Sequence, residues 1–250
     1  MIVTNEIWGE IPLIHVYDET MNQDTPTVFM LHGHTSASEH NLHYAYHLAN
    51  KGVRVLLPDA YLHGKRAQGS TMLELNMRFW DIVMNSVKEL YDLYEYGLKR
   101  RVFKADNIGL IGSSMGGITT SAALATYPWI KAAGICMGVT SLTKLAKYQV
   151  ESLKIGGQPL PFSSEQKEAI YQQLAPFDLE NKKEVFTETP IIFWHGDQDP
   201  IVPIECSYPF YEKYLQQTKT VYLKEKGAGH AVSRIGILKV TDFVAQHLSE

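Results

Sequence analysis

Gly112-Ser113-Ser114-Met115-Gly116, a serine with a glycine two residues away on either side, is the stretch of this 250-residue chain that most directly implies chemistry. A serine hydroxyl is a weak nucleophile until a base can take its proton, and that base needs an acid to orient it. Suitable partners lie far downstream. Asp197 and Asp199 sit in His195-Gly196-Asp197-Gln198-Asp199-Pro200, and His230 closes Lys226-Gly227-Ala228-Gly229-His230. In that order a serine could attack an acyl carbon while an imidazole moves the proton from nucleophile to leaving group. An isolated loop histidine is usually only solvated. His230 is the candidate base because of its company, because the glycines before it leave the ring room to reach Ser114, and because an ordinary histidine pKa of about 6.5 suits proton exchange near neutrality. Spacing alone does not separate Asp197 from Asp199 as the orienting acid.

These side chains need elements that bring them together. Ile108, Leu110 and Ile111 read as a buried strand and the stretch from Met115 through Ala125 as a helix, so Ser114 falls at a strand-to-helix corner, the context a G-x-S-x-G nucleophile requires. A corner that sharp crowds neighbouring backbone, which explains glycine at 112 and 116. Further strands are expected at Thr27–Leu31, Val53–Leu57, Ala132–Met137, Pro190–Trp194 and Thr220–Lys224. Helical spacing marks 39–51, 72–101, 166–174, 204–216 and 234–248, and residues 6–17 read as an antiparallel edge hairpin. Strands alternating with helices imply a mostly parallel sheet covered on both faces, with ligands at the carboxyl ends of its strands. Attack on an acyl carbon also creates an oxyanion. Its donors are expected to be the amide after the nucleophile, Met115, and one from the loop His32-Gly33-His34-Thr35, at His34. His32 reads as a packed structural histidine, and Arg66 as a salt-bridge partner for a nearby carboxylate.

Between Gly138 and about Glu188 the alternation stops. That stretch contains Gly156-Gly157, Pro159 and Pro161, then a capping pattern at Ser163-Ser164-Glu165-Gln166. It is long for a connection and reads as a small helical lid, in which Tyr148, Tyr171 and Phe177 either line a pocket or pack the lid onto the body. With 23 basic and 27 acidic residues the net charge is −4, which offers no attraction to nucleic acid or an anionic membrane. A small molecule is the expected partner. No window is long and apolar enough for a membrane span, and the start lacks a signal-peptide pattern, so a cytoplasmic location is expected. Cys136 and Cys206 are isolated and read as reduced thiols. His40, His43 and His47 share a helical face without a clear further ligand, so neither metal nor cofactor is expected.

Taken together, LHGHTS at 31–36, LPDAYLHGKR at 57–66, GSSMGG at 112–117, WHGDQDPIVP at 194–203 and GAGH at 227–230 resemble the α/β-hydrolase superfamily. Within it the chain looks like the small bacterial carboxylesterases related to dienelactone hydrolases and prolyl oligopeptidases, and the resemblance spans nearly all of it. The resemblance implies one α/β-hydrolase domain over 1–250, a doubly wound sheet of about eight strands with the lid inserted at about 138–188, and a nucleophile at Ser114 with its base at His230. It also implies that the acid is Asp199, the aspartate of H-G-x-x-D, which leaves Asp197 to cap a turn. A dienelactone hydrolase would carry cysteine where this chain has Ser114, which argues against that substrate. The implied activity is a serine carboxylesterase for small acyl esters. A short-peptide peptidase is the alternative within the enzymes, although proline-directed relatives carry a large additional domain, and a catalytically silent binding protein is the alternative outside them.

Overall fold

Runs apolar on both faces become central strands, because only a sheet covered on two sides can bury them. In chain order the strands are β1 (Ile2–Trp8), β2 (Ile11–Tyr17), β3 (Thr27–Leu31), β4 (Arg54–Pro58), β5 (Ile108–Ser113), β6 (Ile130–Cys136), β7 (Lys154–Ile155), β8 (Gln158–Pro159), β9 (Ile191–Gly196) and β10 (Thr220–Glu225). The computed structural model describes residues 1–152 and 162–249, with the backbone of 154–155 and 158–159. Gly156, Gly157 and Pro161 lie outside the described residues. Eight strands form one sheet in the order β1-β2-β4-β3-β5-β6-β9-β10, and β7 pairs with β8 in a separate two-stranded sheet. The hairpin β1–β2 and the pair β2–β4 are antiparallel, while β4, β3, β5, β6, β9 and β10 run parallel. The expected mostly parallel sheet with an antiparallel hairpin at its edge is therefore what the chain builds.

The long helices are α1 (Leu42–Ala49), α3 (Phe79–Lys99), α4 (Met115–Thr126) and α9 (Arg234–Ser249). Tyr44, Ala45 and Leu48 of α1 pack with Val240, Val244 and Leu248 of α9 on one face of the sheet. Leu90, Leu93 and Tyr94 of α3 pack with Ala123 and Leu124 of α4 on the other. From β3 the chain crosses through α1 to β4, and from β4 it returns through α3 to β5 on the far side of β3. The order thus reverses around β3, opening a crevice at the carboxyl ends of β3 and β5 where ligands bind in such sheets. Register makes the crevice narrow: Leu31 pairs with Gly112, so the loop after β3 and the corner after β5 leave the sheet side by side.

Two helical expectations change. The run 72–101 divides at Arg78 (φ −100°, ψ 11°) into a short α2 (Met72–Met77) and α3. The run 204–216 is a succession of tight and wide turns, with a 3₁₀ turn at Ile204–Cys206, α8 (Tyr208–Phe210) and a π-helical turn at Tyr211–Leu215. There Tyr208 and Tyr211 pack against Tyr222 of β10, and that aromatic contact overrides the regular helical repeat. Within 138–188 the structure has α5 (Leu142–Ser152), α6 (Ser164–Leu174) and α7 (Lys183–Glu188). The capping box expected at Ser163 forms, with Ser163 Oγ accepting the Gln166 amide at 3.2 Å and Gln166 Oε1 accepting the Ser163 amide at 2.8 Å. The base of this insertion is tied shut: the Thr143 amide donates to Asp178 Oδ1 at 3.0 Å and the Glu180 amide to Thr140 O at 3.0 Å.

Candidate active site

Ser114 has φ 56° and ψ −119°, a backbone conformation a non-glycine residue adopts only when its surroundings enforce it. The enforcement is visible. A Cβ on Gly112 would lie 2.0 Å from Gly116 O, and one on Gly116 would lie 2.1 Å from Leu31 O, so only bare glycines let β3, β5 and α4 meet at this corner. The Ser114 amide donates to Cys136 O at 2.9 Å, locking the turn onto β6.

The structure brings Ser114, His230 and Asp199 into one hydrogen-bonded chain. Ser114 Oγ lies 2.7 Å from His230 Nε2, and His230 Nδ1 lies 2.7 Å from Asp199 Oδ2. An ionised carboxylate only accepts, so Nδ1 carries the imidazole proton and Nε2 presents its lone pair to the serine hydroxyl. The other oxygen, Asp199 Oδ1, accepts the amides of Ile201 at 2.8 Å and Val202 at 3.0 Å. Burial alone would push this carboxyl up. Hydrogen bonding from His195, His230 and those two amides more than offsets it and holds Asp199 well below the usual carboxylate range. The Asp199 side chain is fully buried, whereas that of His230 stays about one-fifth exposed, open to a substrate.

Asp197, which spacing could not separate from Asp199, holds the loop instead. Its Oδ1 accepts the Gly227 amide at 2.6 Å, and the Gln198 amide donates to Ala228 O at 3.0 Å, so the turn after β9 clasps the loop that carries His230. His195 went unassigned in the sequence. Its side chain is completely buried, donates from Nε2 to Val202 O at 2.8 Å, and lies 3.5 Å from Asp199 Oδ2. Its sequence signal was the H-G-x-x-D pattern, which begins at His195 itself and ends at Asp199.

Across the crevice, a Cβ on Gly33 would lie 3.3 Å from Ser114 Cβ and 3.9 Å from its Oγ, so the loop after β3 touches the serine. Among the described residues the amides of His34 and Met115 have no hydrogen-bond partner, and Met115 opens α4, where the helix dipole is positive. The His34 ring is held aside, Nε2 lying 3.0 Å from Asn76 Oδ1. His32 is 2% exposed and satisfied at both nitrogens, with Nδ1 donating to Gly33 O at 2.8 Å and Nε2 accepting the Ala60 amide at 3.0 Å. Arg66 forms a two-armed ion pair with Glu89, each arm 2.7 Å. Tyr171 and Phe177 pack into the apolar cluster of Leu142, Leu145 and Leu174, while Tyr148 on α5 is exposed. His40, His43 and His47 lie on or beside α1, and among the described residues no group of three metal-binding side chains is gathered.

The prolyl oligopeptidase family model matches residues 39–250. The Bacillus subtilis protein YitV, whose name proposes an esterase, is 35% identical over 98% of this chain and 99% of its own. The Escherichia coli esterase YjfP is 28% identical over 96% of each chain. Among solved structures, TT1662 from Thermus thermophilus superposes with a TM-score of 0.72 at 20% identity, covering 100% of both chains.

Proposed function

This chain belongs to the prolyl oligopeptidase family of α/β hydrolases, and from that premise we propose that it is a serine carboxylesterase acting on small acyl esters. The observation that carries the reading is the hydrogen-bonded chain Ser114–His230–Asp199, beside a β3 loop and an α4 start whose His34 and Met115 amides have no partner among the described residues. Ser114 Oγ attacks the ester carbonyl as His230 Nε2 takes its proton, and Asp199 stabilises the resulting imidazolium. The carbonyl oxygen, now negative, is held by the His34 and Met115 amides, donors already oriented before charge develops. His230 then gives its proton to the departing alkoxide, leaving an acyl group on Ser114. Water, deprotonated by the same nitrogen, attacks the acyl-enzyme and releases the carboxylic acid.

Ester rather than amide cleavage is favoured by the names of the two full-length relatives. The insertion at 138–188 is read as a lid that limits acyl length, with Tyr171 and Phe177 packed in its apolar cluster and Tyr148 exposed on α5. The two cysteines are free and buried and fit a reducing cytoplasm. Among the described residues no helix is long and apolar enough to cross a membrane. Comparing p-nitrophenyl acetate and butyrate with short peptide amides tests the reading. Ester turnover that disappears in Ser114→Ala is expected, and amide cleavage without ester cleavage would reverse the assignment in favour of a peptidase.

A further inference from the structure

Residues 32–38 leave β3 as a turn whose tip, Thr35, is exposed, yet the His34 amide must face Ser114 for every turnover. The Ser36 amide donates to Gly33 O at 3.2 Å, closing a four-residue turn with His34 and Thr35 at its centre. Thr35 sits at φ +60°, the left-handed region that turns of this kind reserve for glycine or asparagine and that a β-branched residue rarely enters. A flip of the peptide joining His34 to Thr35 would return Thr35 to negative φ at the cost of changing ψ at His34, the residue whose amide is the candidate donor.

What opposes the flip comes from the loop after β4. The Thr35 amide donates to His63 Nε2 at 3.0 Å. His63 is 3% exposed and its Nδ1 donates to Tyr61 O at 2.9 Å, which fixes the tautomer whose lone pair faces Thr35. The guanidinium groups of Arg66 and Arg78 both lie over the Tyr61 ring, 5.6 Å and 5.2 Å from its centre. The turn is also pinned at its two ends, by the Ala60 amide on His32 Nε2 and by the Ser38 amide on Asp59 Oδ1 at 2.9 Å. Neither end tie touches the central peptide; His63 does.

We propose that His63 is a positioning residue of the ester-cleaving site, accepting the Thr35 amide so that the strained turn keeps the His34 amide beside Ser114. The inference rests on the esterase reading and deepens it. Removing one oxyanion donor typically lowers kcat by about 10²–10³-fold, so loss of the residue that aims one should lower kcat by at least about tenfold while leaving KM nearly unchanged.

A matched pair of substitutions tests this. Asparagine at 63 retains a donor for Tyr61 O but has no atom where Nε2 stood, whereas glutamine can place an oxygen there. His63→Asn is expected to lose about tenfold or more in kcat on p-nitrophenyl butyrate, and to bind a trifluoromethyl ketone, which forms a tetrahedral oxyanion on serine, weaker by a similar factor. His63→Gln should stay within about threefold of the parent. Adding Thr35→Gly to His63→Asn should restore kcat, because glycine enters positive φ without strain. Should His63→Asn fail to fold, Thr35→Pro at the exposed turn removes the same donor and forbids positive φ, and should give the same loss in kcat at unchanged KM. Equal kcat in His63→Asn and His63→Gln, no recovery with Thr35→Gly, or a fully active Thr35→Pro would each overturn the inference. An unaltered chain that turns over no ester overturns the esterase reading itself and this inference with it.

Discussion

Acidification should destabilise this protein through one buried imidazole that takes no part in the proposed chemistry. His32 lies beneath the crevice with its Nε2 lone pair committed to the Ala60 amide, so a proton there would set two donors against each other. Burial pushes its pKa down from 6.5 to about 4, against the smaller raising effect of the bond to Gly33 O. Between those values the unfolded chain binds a proton that the folded chain refuses. Stability therefore grows as pH rises from about 4 to 6.5 and is lost as pH falls through the same window. At about 1.4 kcal/mol per pKa unit the full loss is about 3 kcal/mol, a large share of the roughly 5–15 kcal/mol that holds a typical domain together. The assay is denaturant unfolding, followed by tryptophan fluorescence, at several pH values from 7 to 4 for the parent and for His32→Gln. Glutamine can still accept from Ala60 but does not titrate, so groups common to both proteins cancel in the difference. The parent should lose about 3 kcal/mol more than the variant across that range. Equal losses in the two proteins would show that His32 is not held neutral by its burial.

Asp199→Asn should fold normally yet lose on the order of 10³–10⁴-fold in kcat, because an amide in place of the carboxylate favours the wrong His230 tautomer and no longer stabilises its charge; Asp197→Asn, by contrast, should lose far less, and equal losses would reverse the two roles. Gly116→Ala places a methyl 2.1 Å from Leu31 O, against backbone that cannot swing aside, so it should cost about 3 kcal/mol or more and lower Tm by roughly 6–12 °C. A thermal melt unchanged from the parent would mean the corner is looser than described. Truncating Tyr148, Tyr171 and Phe177 to alanine should shift the preference among acetyl, butyryl and octanoyl esters, and an unchanged ranking in a folded protein would remove the lid from the account.

The sheet was readable in the sequence because burial on both faces leaves continuous apolar runs, and β3, β5 and β9 all fall where those runs stand. The corner at Ser114 was readable for a different reason: two glycines at fixed spacing record a steric demand that no other residue meets. What escaped was whatever depends on contacts between distant segments. Arg78 carries no glycine or proline to announce a helix break, and the interruption coincides with Asn76 reaching His34 and Arg78 reaching Tyr61. Asp197 and Asp199 share a turn, so only the paths of the Gly227 and His230 loop over it tell the clasp from the acid's position. The tie from Thr35 to His63 joins residues 28 apart through a single nitrogen, and no local pattern encodes it.

The central claim is that Ser114 is the nucleophile and His230 its base. Treating the native protein with a fluorophosphonate and locating the adduct by peptide mass spectrometry measures this directly. The account predicts one adduct per chain, on Ser114, absent from Ser114→Ala and formed far more slowly in His230→Ala. Labelling on another residue, or equal labelling of the parent and Ser114→Ala, would contradict it.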